Sequence, residues 1–179
     1  MPLFYRKETG LKDLLKNKEI KNLVDYMTGV EAGLDSNARK NRGGHAMENI
    51  LEAFILDLCK RKNLKYLKEA NATKIKKEFS ISMPVNKSSR RYDFVIKTKN
   101  GVYFFETNFY GGGGSKLDKT ASDYRNLFDT LANGQSFIWI TDGTGWKKAI
   151  NPLRETFNHN DYVFSLSLLE KGILEEVIR

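Results

Sequence analysis

RRYDFVIKTKNGVYFFETNFYGGGGSK, residues 90–116, is the stretch that decides the fold. It predicts two strands joined at Asn100-Gly101, followed by a glycine run and the start of a helix. Asn-Gly between alternating apolar runs predicts a hairpin, because both central residues of a type I′ turn need positive φ. If the loop consists of those two residues, Asp93 on the first strand pairs with Asn108 on the second.

The alternation of this hairpin separates a polar face from an apolar face. Residues that pair directly, and residues two apart on one strand, share a face of the sheet. Asp93, Glu106 and Asn108 are therefore predicted to project from one face. The opposite face receives the apolar side chains Phe94, Ile96, Tyr103 and Phe105. In this register the two carboxylates are diagonal neighbours, about 7–8 Å apart at the backbone, which lets them converge on one metal ion.

Composition limits the class of protein. The 179 residues suit one domain with a sizeable core, and 40% hydrophobic and 12% aromatic content is ordinary for a globular fold. Thirty Lys and Arg against 22 Asp and Glu give a net charge of +8, which favours a polyanionic partner such as nucleic acid over a merely basic surface. Cys59 is the only cysteine, which excludes a disulfide framework, and we expect a buried thiol. Without an apolar run of 18 residues or a signal-like start, we expect a cytoplasmic protein with no membrane contact.

The rest of the chain predicts an α/β fold. Helices are expected over residues 11–28, stopped by Gly29, and from Ala46 to the basic run at residues 60–62, with a loop or short turns between them. The remaining predicted elements are a strand at 77–82, the hairpin, a helix capped by Ser115, a doubly buried strand at 137–141 reached by a helical crossover, a turn and broken helix, a strand at 162–166 and a helix at 167–177.

These elements predict one domain over residues 1–179. Its core spans about 42–142, with an N-terminal helix at 11–28 and a C-terminal strand and helix at 162–178. The expected architecture is a central mixed sheet of about four to five strands flanked by helices.

The glycine run invites comparison with a phosphate loop. That motif needs its lysine after a glycine and before a hydroxyl residue, whereas Lys116 lies between Ser115 and Leu117, so nucleoside triphosphate binding is excluded. Glycines before a helix still offer N–H groups to a phosphate oxygen, the alternative being a flexible turn.

The two carboxylates predict metal-dependent phosphodiester chemistry. Mg²⁺ prefers one or two carboxylates together with waters and phosphate oxygens, and metals so bound activate water. Asp and Glu on strands are common by chance, but the shared face and the basic charge strengthen the prediction for Asp93 and Glu106. Glu48, on the border of an apolar helical stripe, is a third candidate ligand or simply a solvated flank.

Other polar residues have weaker predictions. His45 is a possible base but suits a helix cap or the surface, and His159 suits a loop. Trp139 and Trp146 are expected to pack in the core. Asp142 could contact metal or DNA, although Asp-Gly is first of all a turn.

The order helix, strand, hairpin, helix, strand, with Asp93 and the E-x-N at 106–108, resembles the PD-(D/E)XK nuclease core. The segments YMTGVEAGLDSNARKNRGGHAMENI, RRYDFVIK, ETNFYGGGGSKL, FIWITDGTGW and LRETF resemble the DpnII/MboI-type restriction endonucleases, which cut DNA at GATC. The resemblance implies that Asp93 and Glu106 bind metal, with Glu48 completing the site. It also places Asn108 where the superfamily usually has lysine.

The vacant lysine position has two candidate replacements. Lys116, at the helix start beyond the glycines, is the first, and Lys97, on the face of Val95, is the weaker one. Members of the family look longer than this chain, with a helical segment before the part present here.

The resemblance implies a Mg²⁺-dependent type II endonuclease acting on double-stranded DNA, with Asp93, Glu106, Asn108 and Lys116 as catalytic residues. Because GATC is a two-fold palindrome, a homodimer is expected. The DNA-binding candidates are Arg39, Lys40, Arg42, Arg90 and Arg91, the last two of which could instead flank a strand end. The alternatives are another repair or nicking nuclease of the superfamily, or an inactive, truncated DNA-binding member.

Overall fold

The computed structural model describes residues 22–32, 36–84 and 89–179, with the backbone alone for residues 36–43. Most of the helix predicted at 11–28 lies outside these ranges. Helix α1, Leu23–Ala32, runs through Gly29, so the predicted stop at this glycine is wrong. A glycine inside a helix costs only about 1 kcal/mol, and the burial of Leu23 and Met27 in the core offsets that cost.

Helix α2, Ser36–Lys62, begins well before the predicted start at Ala46. The loop predicted before Ala46 is therefore wrong from Ser36 onward, because Ala, Arg and Lys in this polar segment are compatible with helix. The apolar stripe of α2 is buried at Met47, Ile50, Leu51, Ile55 and Leu58. Cys59 is buried as expected, and burial raises the pKa of its thiol to about 11.

Strand β1, Lys65–Asn71, and helix α3, Ala72–Phe79, replace the strand predicted at residues 77–82, which is wrong. The Asn71 side chain starts α3 by accepting a hydrogen bond from the Lys74 N–H at 2.9 Å. Ile75 and Phe79 then bury the apolar side of the helix.

The remaining elements follow the predicted order up to the last helix: β2 Arg91–Lys97, β3 Val102–Phe109, α4 Ser115–Phe128, β4 Gln135–Asp142, a 3₁₀ turn Thr144–Lys148, α5 Ile150–His159, β5 Tyr162–Phe164, α6 Leu166–Glu170 and α7 Ile173–Val177. The single helix predicted at 167–177 is wrong, because Gly172, with a positive φ of 87°, separates α6 from α7. Gly114, one residue before the predicted Ser115, caps α4. The sheet has the order β1-β2-β3-β4-β5, antiparallel from β1 to β3 and parallel from β3 to β5. This confirms the predicted mixed sheet flanked by helices, while the division of the chain into a core and terminal segments stays a prediction.

The hairpin register differs from the predicted one. Val102 pairs with Lys97 and not with Lys99, so the loop has four residues. Thr98 holds this loop: its N–H donates to the Gly101 carbonyl at 2.9 Å, and its hydroxyl accepts from the N–H groups of Asn100 and Gly101. Because the shift is two residues, the side chains of the paired residues 94–97 and 102–105 keep their predicted faces.

Two cores lie on opposite sides of the sheet. The first contains Phe94, Ile96, Tyr103 and Phe105 together with apolar residues of α1, α2, α6 and α7. The second contains Val95, Phe104 and Trp139 together with apolar residues of α3 and α4. The predicted apolar face is therefore confirmed, but the opposite face is polar only in part, because it carries the second core. Among the described helices, none is long and apolar enough to cross a membrane.

Candidate active site

The site lies where strands β2 and β3 separate. Their ladder runs from the pair Lys97–Val102 to the pair Phe94–Phe105, and β3 continues beside β4 as far as Phe109. Just beyond the ladder, the Asp93 carboxylate accepts a hydrogen bond from the backbone N–H of Thr107 at 2.8 Å. A side-chain oxygen thus takes the place that a strand carbonyl would occupy.

The backbone is distorted at the same level of the sheet. Tyr92 and Val95 pack into the same core although they are three residues apart. The alternation of side chains between the two faces of the sheet is therefore interrupted at Asp93. Opposite this point in β1, Glu69 has a positive φ of 47°. A non-glycine residue in this region costs roughly 1–3 kcal/mol, and such strain is concentrated at functional sites.

The Asp93 carboxyl has a strongly altered proton affinity. Burial raises its pKa from 3.8 to about 8, and the nearby charges of Glu106 and Glu48 add to this rise. The hydrogen bond from Thr107 and the charge of Arg91 act in the opposite direction but are weaker together. Asp93 is therefore a half-buried acid, poorly solvated and close to a second carboxylate.

Glu106 is held from two sides. Its side chain is 10% exposed, and its Oε1 atom lies 3.1 Å from Nη1 of Arg90. The hydroxyl of Tyr124, on α4, donates to Oε2 at 3.0 Å. These contacts fix the plane of the carboxylate.

Asn108 is also fixed by neighbouring side chains. Its Oδ1 atom accepts a hydrogen bond from the Trp139 indole at 2.9 Å, and the Tyr124 hydroxyl, whose one proton points mainly to Glu106, lies 3.4 Å away. Trp139 and Trp146 are buried as expected and pack edge to face. An amide cannot act as a base, so Asn108 contributes only hydrogen bonds.

A polar cavity of about 560 Å³ opens over these groups. One face of α4 lines it at a spacing of three and four residues, and the strand ends supply the other wall. The lining residues are Ser89, Arg90, Arg91, Glu106, Asn108, Tyr110, Lys116, Lys119, Thr120, Asp123 and Tyr124. The cavity therefore combines carboxylates with several cations, which suits a phosphodiester beside a metal ion.

The two candidate lysines lie in different cavities. Lys116 is exposed and lines the cavity together with Glu106 and Asn108, because the glycine run lets the chain turn into α4 at this point. Lys97 lines a different cavity, and its ammonium donates to the Phe79 carbonyl at 2.8 Å. Of the two, only Lys116 is brought to the site.

Glu48 lies at the margin of the site. It contributes to the raised pKa of Asp93, and its Oε2 atom is 3.8 Å from Nδ1 of His45. Within the described part of the chain, no three Asp, Glu, His or Cys side chains are arranged to hold one ion. Glu48 therefore does not form a three-carboxylate cluster with Asp93 and Glu106 here.

Several other candidates have structural roles. Asp142 accepts hydrogen bonds from the N–H groups of Gly143 and Leu166, which ties the end of β4 to the start of α6. His159 ends α5 rather than lying in a loop, and its ring contacts Asp129 at 2.8 Å. Arg91 is exposed and lies 3.7 Å from Glu69.

The basic residues Arg39, Lys40 and Arg42 are part of helix α2. The structure describes only their backbone.

Tyr124, Lys119 and the Arg90–Glu106 ion pair were not expected from the sequence. Tyr124 falls in the apolar stripe of its helix and looks like an ordinary core residue. The useful signal was the spacing of 116, 120 and 124, which places three polar groups on one face of α4.

The turn after β4 supports the glycine loop of the site. The N–H of Gly145 donates to the Tyr110 carbonyl at 2.7 Å, and a side chain at position 145 would collide with the carbonyl oxygens of Gly112 and Tyr110. We expect Gly145→Ala to lower the free energy of unfolding by about 3 kcal/mol, measured by urea denaturation. Gly112→Ala, whose added methyl meets nothing within 4 Å, is the control and should cost less than about 1 kcal/mol. Equal stabilities of the two variants would contradict this packing.

The fold is an α/β core with a five-stranded mixed sheet flanked by helices, and two carboxylates lie close to the point where its central strands separate. The family model described as DpnII restriction endonuclease matches residues 3–176, and the chain belongs to that family. The resemblance found in the sequence is therefore confirmed.

Known relatives agree with this assignment. Type II restriction enzyme MjaIII of Methanocaldococcus jannaschii is 50% identical over 178 residues, which cover 96% of this chain and 61% of that enzyme. Type II restriction enzyme DpnII of Streptococcus pneumoniae is 40% identical over 180 residues, covering 97% and 62%. The chain thus spans about three fifths of the length of these relatives. Among solved structures, protein VC1899 from Vibrio cholerae has a TM-score of 0.41 at 13% identity, covering 77% of this chain and 34% of that one.

Proposed function

We propose that this protein is a Mg²⁺-dependent type II restriction endonuclease that hydrolyses double-stranded DNA at GATC. The observation that carries the proposal is the pair Asp93 and Glu106 where strands β2 and β3 separate, with Glu106 in the wall of a cavity that also holds four cationic side chains. Membership of the family supports the reaction class, and the relatives named above are type II restriction enzymes. The GATC target rests on the resemblance of the sequence to the DpnII/MboI type.

The carboxylates fit a divalent cation. Asp93 and Glu106 would hold it, with waters and phosphate oxygens as the other ligands that Mg²⁺ prefers. Burial of two neighbouring carboxylates opposes the ionised form of Asp93, and a divalent cation relieves that cost. When bound, the ion supplies Lewis acidity and lowers the pKa of a water molecule.

The surrounding residues would position the DNA strand. The exposed Lys116 ammonium would contact the scissile phosphate, in the role that the superfamily usually gives to a lysine at the position of Asn108. Asn108, held by Trp139 and Tyr124, would orient the attacking water through its amide. Attack on phosphorus leaves a 5′-phosphate and a 3′-hydroxyl.

A protein that cuts both strands of a palindrome is most simply a homodimer, which we propose here. The net charge of +8 favours the approach of DNA. Arg39, Lys40 and Arg42 are proposed to contact phosphates or bases, together with Arg91 at the cavity wall.

The test uses two plasmids that differ only at their GATC sites, one with several sites and one with a base changed in each. With Mg²⁺, we expect discrete fragments from the first plasmid, intact DNA from the second, and no cleavage of either when the metal is chelated. Gel electrophoresis of both digests measures the result.

Other outcomes would overturn the proposal in different ways. Cleavage or nicking of both plasmids would indicate a repair or nicking nuclease of the same superfamily. Binding without cleavage at any Mg²⁺ concentration would indicate an inactive DNA-binding member.

A further inference from the structure

Arg90 occupies an unusual place for a residue expected to bind DNA. Its side chain is only 5% exposed although it lines the cavity. The guanidinium carbon lies 5.8 Å from the ring centre of Tyr92 and 5.7 Å from that of Tyr124. Arg91, the next residue, is instead exposed to solvent. Arg90 is therefore a buried cation held between two aromatic rings, which stabilise positive charge.

The same guanidinium contacts a proposed metal ligand. Its Nη1 atom lies 3.1 Å from Oε1 of Glu106, and the Tyr124 hydroxyl donates to the other oxygen. These contacts orient the carboxylate, but they also place a positive charge beside it.

We propose that Arg90 is a positioning residue that holds Glu106 in its reactive orientation and, through its charge, weakens the binding of Mg²⁺ to the free protein. The inference rests on the proposed function, since it takes Glu106 to be a metal ligand. It replaces the expectation that Arg90 itself binds DNA. A phosphate in the cavity would offset the charge of Arg90, so DNA and Mg²⁺ would bind more tightly together than separately.

The two effects of Arg90 predict opposite changes when its charge is removed. Arg90→Gln should bind Mg²⁺ roughly tenfold more tightly, because the repulsion between charges of +1 and +2 a few Å apart, at an effective dielectric constant of about 20, exceeds the energy of a tenfold change. Its single-turnover cleavage rate should fall roughly 10²-fold, because Glu106 loses its orientation. General damage to the site would weaken both metal binding and cleavage.

Isothermal titration with Mg²⁺ alone measures the affinity. Arg154→Gln is the control: it removes an equal charge from an exposed position on α5 that does not line the cavity, and should change the Mg²⁺ affinity less than about threefold. Arg90→Lys keeps the charge and should bind Mg²⁺ like the wild type.

A second measurement uses the wild-type protein, because loss of a buried ion-pair partner can prevent folding of Arg90→Gln. The side-chain NMR signals of Arg90, identified by their loss in Arg90→Lys, should shift when Mg²⁺ is added, and those of the exposed Arg154 should not. An unchanged Arg90 signal during saturable Mg²⁺ binding would overturn the inference.

The outcomes separate this inference from the proposed function. If Mg²⁺ binds the wild type in an Asp93-dependent way and Arg90→Gln binds it no more tightly, only the role of Arg90 fails. If neither protein binds Mg²⁺ and the wild type also leaves the plasmid with GATC sites intact, the proposed function fails as well.

Discussion

Asp93→Asn should lower DNA cleavage roughly 10³-fold or more and should also raise the melting temperature of the metal-free protein at about pH 8.5. Cleavage falls because a metal ligand supplies several kcal/mol of transition-state stabilisation, and each 1.4 kcal/mol is about a factor of ten in rate. Stability rises because the asparagine removes a half-buried, poorly solvated charge close to Glu106 without changing the size of the side chain.

The pH dependence follows from the direction of the Asp93 pKa shift. The folded protein holds this proton to about pH 8, whereas the unfolded chain releases it near pH 3.8. Between these values the folded state binds more protons, so the contribution of Asp93 to stability is complete below about pH 4 and is lost as the pH rises to about 8. Asp93→Asn does not lose stability in this way. The amount by which its stability exceeds that of the wild type should therefore grow as the pH rises from about 4 to about 8.

Thermal unfolding of both proteins in a chelating buffer, from about pH 5 to pH 8.5, measures this advantage. At about pH 8.5 we expect the melting temperature of Asp93→Asn to exceed that of the wild type by roughly 5 °C. Mg²⁺ should stabilise the wild type but not the variant. Asp161→Asn, at an exposed position before β5, is the control and should change neither cleavage nor stability. If the variant is less stable than the wild type at about pH 8.5, the claim that the charge of Asp93 destabilises the folded protein is wrong.

The polar and apolar faces of the hairpin could be predicted from the sequence because side-chain alternation has a period of two. That period survives any even error in register, so the paired residues 94–97 and 102–105 keep their predicted faces, whereas the break in alternation at Asp93 could not be predicted. The shift itself could not be predicted from Asn-Gly alone. The hydroxyl of Thr98 bonds two loop N–H groups and thereby favours a four-residue loop.

Strand β1 could not be recognised because its sequence, KYLKEAN, has few residues that favour strands. Its stability comes from antiparallel pairing with β2, which is a tertiary contact. The neighbouring sequence KEFSIS alternates like a strand, yet Phe79 falls at helical spacing from Ile75, and Asn71 caps the helix that buries both. In both segments the interactions of the folded chain outweigh the local sequence pattern. Pairing with β2 makes residues 65–71 a strand, and burial together with the Asn71 cap makes residues 72–79 a helix.

The carboxylates of the site were readable from the sequence, but their setting was not. The bond from Thr107 to Asp93 depends on where two strands separate, which no local pattern encodes. The partners of Glu106 lie 16 and 18 residues away in the sequence, at Arg90 and Tyr124. Their roles follow only from the packing of α4 against the sheet.

The position of Asn108 limits where the catalytic positive charge can come from. Its amide oxygen accepts a hydrogen bond from Trp139 and lies 3.4 Å from the Tyr124 hydroxyl, so this position is both neutral and fixed. Among the cavity cations, Arg90 is paired with Glu106, and Arg91 lies near Glu69. Lys116 and Lys119 remain as exposed ammonium groups on one face of α4, and Lys116 also borders the glycine loop.

Lys116→Met should therefore lower the single-turnover cleavage rate roughly 10²- to 10³-fold, because a cation at the scissile phosphate stabilises charge that develops in the transition state. Saturating protein separates this effect from weaker DNA binding, which should change only a few-fold because one phosphate contact is lost among several. Lys119→Met, one helical turn further on, should lower the rate less than tenfold, and Lys171→Met, exposed on the turn between α6 and α7, should leave it unchanged. A larger loss in Lys119→Met than in Lys116→Met would move the role to Lys119, and wild-type cleavage by both variants would show that the site works without a lysine on this helix.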